Sequence, residues 1–213
     1  MFKSLADART ITHTLSSPSK MPWWSYSIPA SACKVGSQLA KVAGTVCKSC
    51  YAMKGRYVFQ NVKQAMQKRL DSLSHPHWVD AMVYQLNTLS DGKEQHFRHF
   101  DSGDLQGIWH LRKIVEVAER TPHIKHWLPT REVGMIREYR KTHGAFPSNL
   151  IVRVSASRVG HRMPRQPDLN LPVSTVGVDK DSSLFQCEAP SRGWVCGPCR
   201  KCWSDTDVNY KVH

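Results

Sequence analysis

Seven cysteines in a chain of 213 residues constrain this sequence more than any other feature, because they fall into two separated groups. Cys33 is followed, after thirteen residues, by Cys47-Lys48-Ser49-Cys50; Cys187 is followed by Cys196-Gly197-Pro198-Cys199-Arg200-Lys201-Cys202. An odd number of cysteines fits a disulfide framework poorly, and Met1 to Lys20 carries Lys3, Asp7 and Arg9 with no apolar run of the secretory kind. No stretch reaches the roughly 20 apolar residues that cross a bilayer. A cytoplasmic protein without a membrane partner is therefore expected. In that reducing compartment the thiols point to metal chemistry.

The carboxyl-terminal group places three thiols in seven residues, the pattern by which a short loop wraps three corners of a cubane cluster while a fourth thiolate, here Cys187, arrives from outside it. Zinc is the alternative, although its tetrahedral sites commonly draw one cysteine pair from each of two knuckles. The amino-terminal group offers three ligands and leaves one iron corner, or one zinc position, open for chemistry. Division into Cys33, Cys47 and Cys50 on one 4Fe–4S cluster and Cys187, Cys196, Cys199 and Cys202 on a second uses every cysteine. The competing arrangement is one metal site shared between the groups, with the remaining thiols buried as small apolar side chains.

Hydrophobic periodicity predicts an α/β protein. Helices are expected over Gln60–Leu73, His77–Leu89, Gln106–Arg120 and Arg131–His143, and strands over Phe97–Phe100, Ile124–Leu128, Leu150–Val154 and Ser174–Val178. Strands alternating with helices of this length require crossovers and a parallel sheet. The units are too few for a full eight-unit barrel, which takes about 250 residues, so a partial barrel or an open parallel sheet is expected. Residues 1–32, rich in Ser, Thr and Pro, read as irregular, with a strand lid over the core. Residues 1–184 are expected to form the α/β core domain and residues 185–213 a cysteine-rich extension packed on it.

The formal net charge of +13 points to a polyanionic partner, nucleic acid first, because neutralising phosphates releases counterions. Lys54 and Arg56, next to Tyr57, and the Arg158, Arg162 and Arg165 loop are the candidate contacts; a loop with three arginines has no helix face to solvate. A binding protein with purely structural metal sites satisfies the same features. Asp101 and Asp104, near His96, His99 and His110, form a candidate catalytic pair for divalent-metal phosphodiester hydrolysis, although Asp101-Ser102-Gly103-Asp104 also suits a helix start.

The segments Cys33-Lys34-Val35-Gly36-Ser37, Cys47-Lys48-Ser49-Cys50-Tyr51-Ala52-Met53-Lys54-Gly55, His99-Phe100-Asp101-Ser102-Gly103-Asp104-Leu105-Gln106 and His126-Trp127-Leu128-Pro129-Thr130-Arg131-Glu132 resemble the phage- and plasmid-borne gene-product-eighty-eight family. The resemblance runs from about Lys20 to Tyr210 and implies a mobile-element origin. A looser resemblance is to radical S-adenosylmethionine enzymes, partial barrels whose first loop holds three cysteines on a 4Fe–4S cluster. It implies that Ser102, Gly103 and Asp104 receive the cofactor's amine, while Thr130, Arg131, Glu132 and Ser155 hold its carboxylate and ribose at the strand ends, where α/β folds bind ligands. That superfamily spaces its cysteines closely; this chain puts thirteen residues between the first two.

Overall fold

A computed structural model describes residues 2–212. Its centre is a sheet of seven strands, every pair parallel: β1 (Ser25–Tyr26), β2 (Gln95–His99), β3 (Ile124–Thr130), β4 (Leu150–Ser155), β5 (Val173–Val176), β6 (Phe185–Gln186) and β7 (Val208–Tyr210). The spatial order is β1-β2-β3-β4-β5-β7-β6, so the sheet is open, with β1 and β6 at its edges. Both edge strands are two residues long, which leaves little unpaired backbone to recruit another chain.

The helices are α1 (Leu5–Thr12), α2 (Lys34–Leu39), α3 (Gln60–Ser72), α4 (Trp78–Ser90), α5 (Ile108–Glu119) and α6 (Val133–His143). The last four lie where periodicity places them. In α4, Val79, Met82, Val83 and Leu86 share one buried face, and Asp91 and Gly92 in the left-handed region (φ 52° and 71°) end the helix. In α5 the buried stripe is Leu111, Ile114, Val115 and Ala118.

The opening segment departs from the expected lid. Ser4 accepts from the Asp7 amide and caps α1, and Ser25–Tyr26 is the first strand of the sheet. The reason lies in Tyr26, which is 2% exposed and stands edge-on to Trp78, its hydroxyl bonded to the Thr12 and Arg69 carbonyls and to Ser72. One aromatic ring thus ties α1, α3 and α4 to the sheet edge. Residues 185–213, expected as an extension, contribute β6 and β7 to the same sheet.

The two faces of the sheet are chemically unequal. Phe97, Leu128 and Val152 belong to the apolar core with Leu86, Leu111, Ile114 and Ile136. Alternation along each strand sends His96, Arg98, Trp127 and Arg153 the other way. There they meet the carboxyl-terminal segment: Trp203 packs against Trp127 and His96 at ring separations of 5.3 and 5.5 Å and donates from Nε1 to the Phe97 carbonyl at 2.8 Å.

Candidate functional site

The amino-terminal cysteines gather over the carboxyl ends of β2, β3 and β4. Cys33 precedes α2, Cys47 lies in a 3-10 turn (Val46–Ser49), and Cys50 joins that turn to the next (Tyr51–Met53). Much of the thirteen-residue gap is α2 itself. Thr45, 3% exposed, closes the gap by donating to the Leu39 and Val42 carbonyls and accepting from the Lys48 amide. The Val46 amide bonds to the Ser157 carbonyl and Val159 to Gly44, fixing the loop to the end of β4. Gly36 lies against both thiols: a Cβ there would sit 3.6 Å from Cys33 Sγ and 3.7 Å from Cys47 Sγ, and a tight 3.0 Å from Cys33 Cβ. Burial pushes the Cys33 thiol up to about 12 and also raises Cys47, while the Arg131 guanidinium pulls both back toward the thiolate.

The predicted cofactor residues assemble beside these thiols; several are bonded within the fold, while the buried Ser102 hydroxyl has no hydrogen-bond partner among the described residues. Asp104, buried, accepts from Thr130 Oγ1 at 2.6 Å, the Arg131 amide at 2.9 Å and the Leu105 amide at 2.8 Å. Burial outweighs these bonds and raises its carboxyl to about 6. Glu132 accepts from the Val35 amide at 2.9 Å in the first turn of α2. Arg131 donates from Nε to the Ala156 carbonyl, and Ser155 pairs with Ser174 in the sheet. Gly103 (φ 90°) lies against Ile28, where a Cβ would come within 2.3 Å of Cγ1, and the Ser102 carbonyl accepts from the Ile28 amide. Asp101 takes a different set of partners, accepting from the Ser25 and Tyr57 hydroxyls at 2.9 and 2.8 Å. His99 bonds to His126 at 3.1 Å inside the core, and His110 is likewise buried. Among the described residues no three His, Cys, Asp or Glu side chains converge on one ion.

The carboxyl-terminal cysteines surround a single small cavity: Cys187, Cys196, Cys199 and Cys202 all line it, with Phe185, Arg192 and Trp203. All seven cysteines are unpaired thiols. Burial pushes Cys202 to about 11 against the pull of the Tyr210 hydroxyl, 3.1 Å from its sulfur, and of Arg153 and Arg98. Burial also raises Cys187 and Cys196. Arg153, fully buried, donates to the carbonyls of Val173 and Thr206 through Nη1 and to those of Lys201, Cys202 and Ser204 through Nη2. It holds the turn that carries Cys202.

Arg98 stands between the two groups. Its guanidinium lies 4.5 Å from the Trp127 ring centroid and donates to the Tyr51 hydroxyl next to Cys50, while its charge acts on Cys196 and Cys202. Burial opposes that charge, but Tyr51, Asp101, Tyr210 and Tyr57 hold the group above its ordinary value. Arg98 and Arg153 were not legible as site residues, since an arginine inside a strand reads as a solvated position. The one available signal was its recurrence on the face opposite the apolar residues.

The basic positions separate. Lys54 and Arg56 are exposed beside Met53, Val58 and Phe59, which are 59%, 45% and 58% exposed. Arg158, also exposed, is brought to the same loop by its bridge to Thr45. Arg162 pairs with Asp181, and Arg165 is committed to Asp205 and Asp207. No helix among the described residues is long and apolar enough to cross a membrane.

A family model described as Gene product 88 matches residues 3–205. No curated protein and no solved structure matches the chain. The resemblance to radical S-adenosylmethionine enzymes finds no support in these comparisons.

Proposed function

Because this chain belongs to the Gene product 88 family, we propose that it is a mobile-element iron–sulfur protein that engages nucleic acid, with one three-thiolate and one four-thiolate cluster. The observation that carries the reading is the enclosure of one cavity by all four carboxyl-terminal thiols, with Arg98 between it and the gathering of Cys33, Cys47 and Cys50. Thiols spread around a space, instead of meeting at a point, suit the corners of a cubane better than a zinc ion bonded at about 2.3 Å. When bound, a cluster with four thiolates supplies a site for one-electron transfer and a charge of about −2. Arg98 and Arg153 would oppose that charge from the sheet, and Arg131 would do so at the three-thiolate site. Nucleic acid would lie across Lys54, Arg56 and Arg158, where cations adjoin exposed Phe59 and Met53 beside the open site.

Anaerobically purified protein should contain iron and acid-labile sulfide, and Cys196→Ala should lose roughly half of both. Colourless protein containing only zinc, or complete iron loss from a folded Cys196→Ala variant, would refute two clusters. Lys54→Gln with Arg56→Gln should weaken single-stranded DNA binding and lower the salt slope by about 1.4 for two phosphate contacts. An unchanged slope would remove this surface from the interface.

A further inference from the structure

We propose that the cleft between α1 and α3 binds a phosphate ester, at a site separate from the cysteines and from the surface around Lys54. The cleft has a volume of about 280 Å³ and is lined by Arg9, His13, Asn61, Gln64, Lys68 and Arg69, together with Thr14 and Ala65. No Asp or Glu is among its lining residues. This volume lies near the lower end of small-ligand sites, which run to roughly 300–1,000 Å³, so a phosphate fits together with part of its ester group.

The α3 contribution is one stripe. Residues 61, 64, 65, 68 and 69 recur at helical spacing and face α1 across the cleft. Of these, Arg69 is buried, while Asn61, Gln64 and Lys68 are exposed.

The cations are fixed without being neutralised. Arg69 is 7% exposed, and its Nε and Nη1 donate to the carbonyls of Thr14 and Ser27 at 2.8 and 3.3 Å. Carbonyls orient the guanidinium but leave its charge uncompensated. Arg9 donates from Nε to Gln85 Oε1 at 3.3 Å, leaving its remaining N–H groups to other partners. Among the described residues none of the ion pairs includes Arg9, Lys68 or Arg69. The acidic groups that act on this region are Asp71, which influences His13 and accepts from Gln67, and Asp101, which influences Arg69. Neither lines the cleft.

His13 adds a second sign of a built site. Its backbone takes φ 62° and ψ −179°, a conformation that belongs almost exclusively to glycine, and this directs the chain out of α1 at the rim of the cleft. Burial, followed by the charges of Lys68 and Arg69, holds its imidazole below the ordinary value and keeps it neutral. A neutral imidazole offers one donor and one acceptor, so it can bond either to a phosphate oxygen or to a hydroxyl of the ester. Two arginines and a lysine, supplemented by the Asn61 and Gln64 amides, match a multiply charged oxyanion; Arg forks favour phosphate geometry.

Two sources share this chemistry, a small phosphate ester and the backbone of a nucleic acid. Calorimetric titration of the full chain with inorganic phosphate and, separately, with an oligothymidylate distinguishes them. Lys68→Gln removes an exposed side chain from the cleft, and Lys63→Gln removes the same charge from the same helix outside it. Circular dichroism confirms that both variants fold. Lys68→Gln should weaken phosphate binding about ten- to hundredfold, as expected for loss of one charge-assisted bond, and Lys63→Gln should not. Parallel weakening of the oligothymidylate identifies the nucleic-acid backbone as the source; weakening of phosphate alone identifies a small ester. Equal effects of the two variants on both probes, or no effect of Lys68→Gln on either, overturns the site. Because no cysteine lines the cleft, this outcome is independent of iron content.

Discussion

Replacing Arg153 with Met tests whether the buried arginine organises the four-cysteine loop. The change preserves much of the side-chain volume but removes the donors to five carbonyls. The three short bonds, to Thr206 at 2.6 Å and to Val173 and Ser204 at 2.9 Å, carry most of the loss. A carbonyl left buried without a donor costs about 1–3 kcal/mol. Three such groups set the scale at several kcal/mol, and relief from burying the cation returns part of it. The net destabilisation should be about 3–5 kcal/mol. Because Lys201, Cys202 and Ser204 are all held by one guanidinium nitrogen, the variant should also lose iron from the carboxyl-terminal site. Arg153→Lys should show an intermediate loss, since a single ammonium cannot span carbonyls arranged for a planar fork. Guanidinium chloride unfolding followed by tryptophan fluorescence reports on this region through Trp203 and Trp127, and iron per chain is measured in parallel. An Arg153→Met protein within about 0.5 kcal/mol of wild type, with its full iron content, would refute the argument.

Acid should weaken the fold through its buried histidines. Burial holds His110 and His126 down at about 3 and His99 well below its ordinary value, so between pH 6.5 and 4 the unfolded chain takes up three protons that the native state refuses. Asp104, raised to about 6, works in the opposite sense as pH falls from 6 toward 3.8, leaving a net of about two protons and a slope of about 2.7 kcal/mol per pH unit. Denaturation midpoints that stay flat from pH 6.5 to 4.5 would contradict this, and His110→Gln should reduce the slope by about one proton. Gly103→Ala should destabilise by about 2–4 kcal/mol, because it combines a φ of 90° with a Cβ 2.3 Å from Ile28 Cγ1; a thermal midpoint equal to wild type would show that this loop yields freely.

The parts of the fold legible in the sequence were those in which a single element carries its own signal. Val79, Met82, Val83 and Leu86 repeat within α4, and the crossovers that follow from such helices led to a parallel sheet. The elements that escaped notice depend on partners distant in the chain. α1 has only Ala8 and Thr12 buried, and β1 is a strand because Ser25 and Tyr26 pair with Arg98 and His99 more than seventy residues later. At the site, the grouping of the cysteines was legible because their spacing is local. The cluster of Asp104, Thr130, Arg131 and Glu132 was also anticipated, but as cofactor ligands; the structure employs them to join two strand ends and α2. Arg153 went unnoticed because its bonds depend on the return of residues 201–206 across the sheet, and Arg98 because its partner Tyr51 lies far away in the chain.

The strand order determines when this molecule can be finished. β6 pairs only with β7, and β7 enters between β5 and β6, so β6 waits at the edge for a strand that follows it in the chain. The cysteine loop is the connection between them. A chain that ends before Val208 therefore lacks more than three residues of sheet: Cys187 has no strand beside it to accept its amide at the Asn209 carbonyl, and Cys202 loses the Tyr210 hydroxyl. Closing the sheet and enclosing the four thiols are the same topological event, and neither is reached before Val208–Tyr210 has paired.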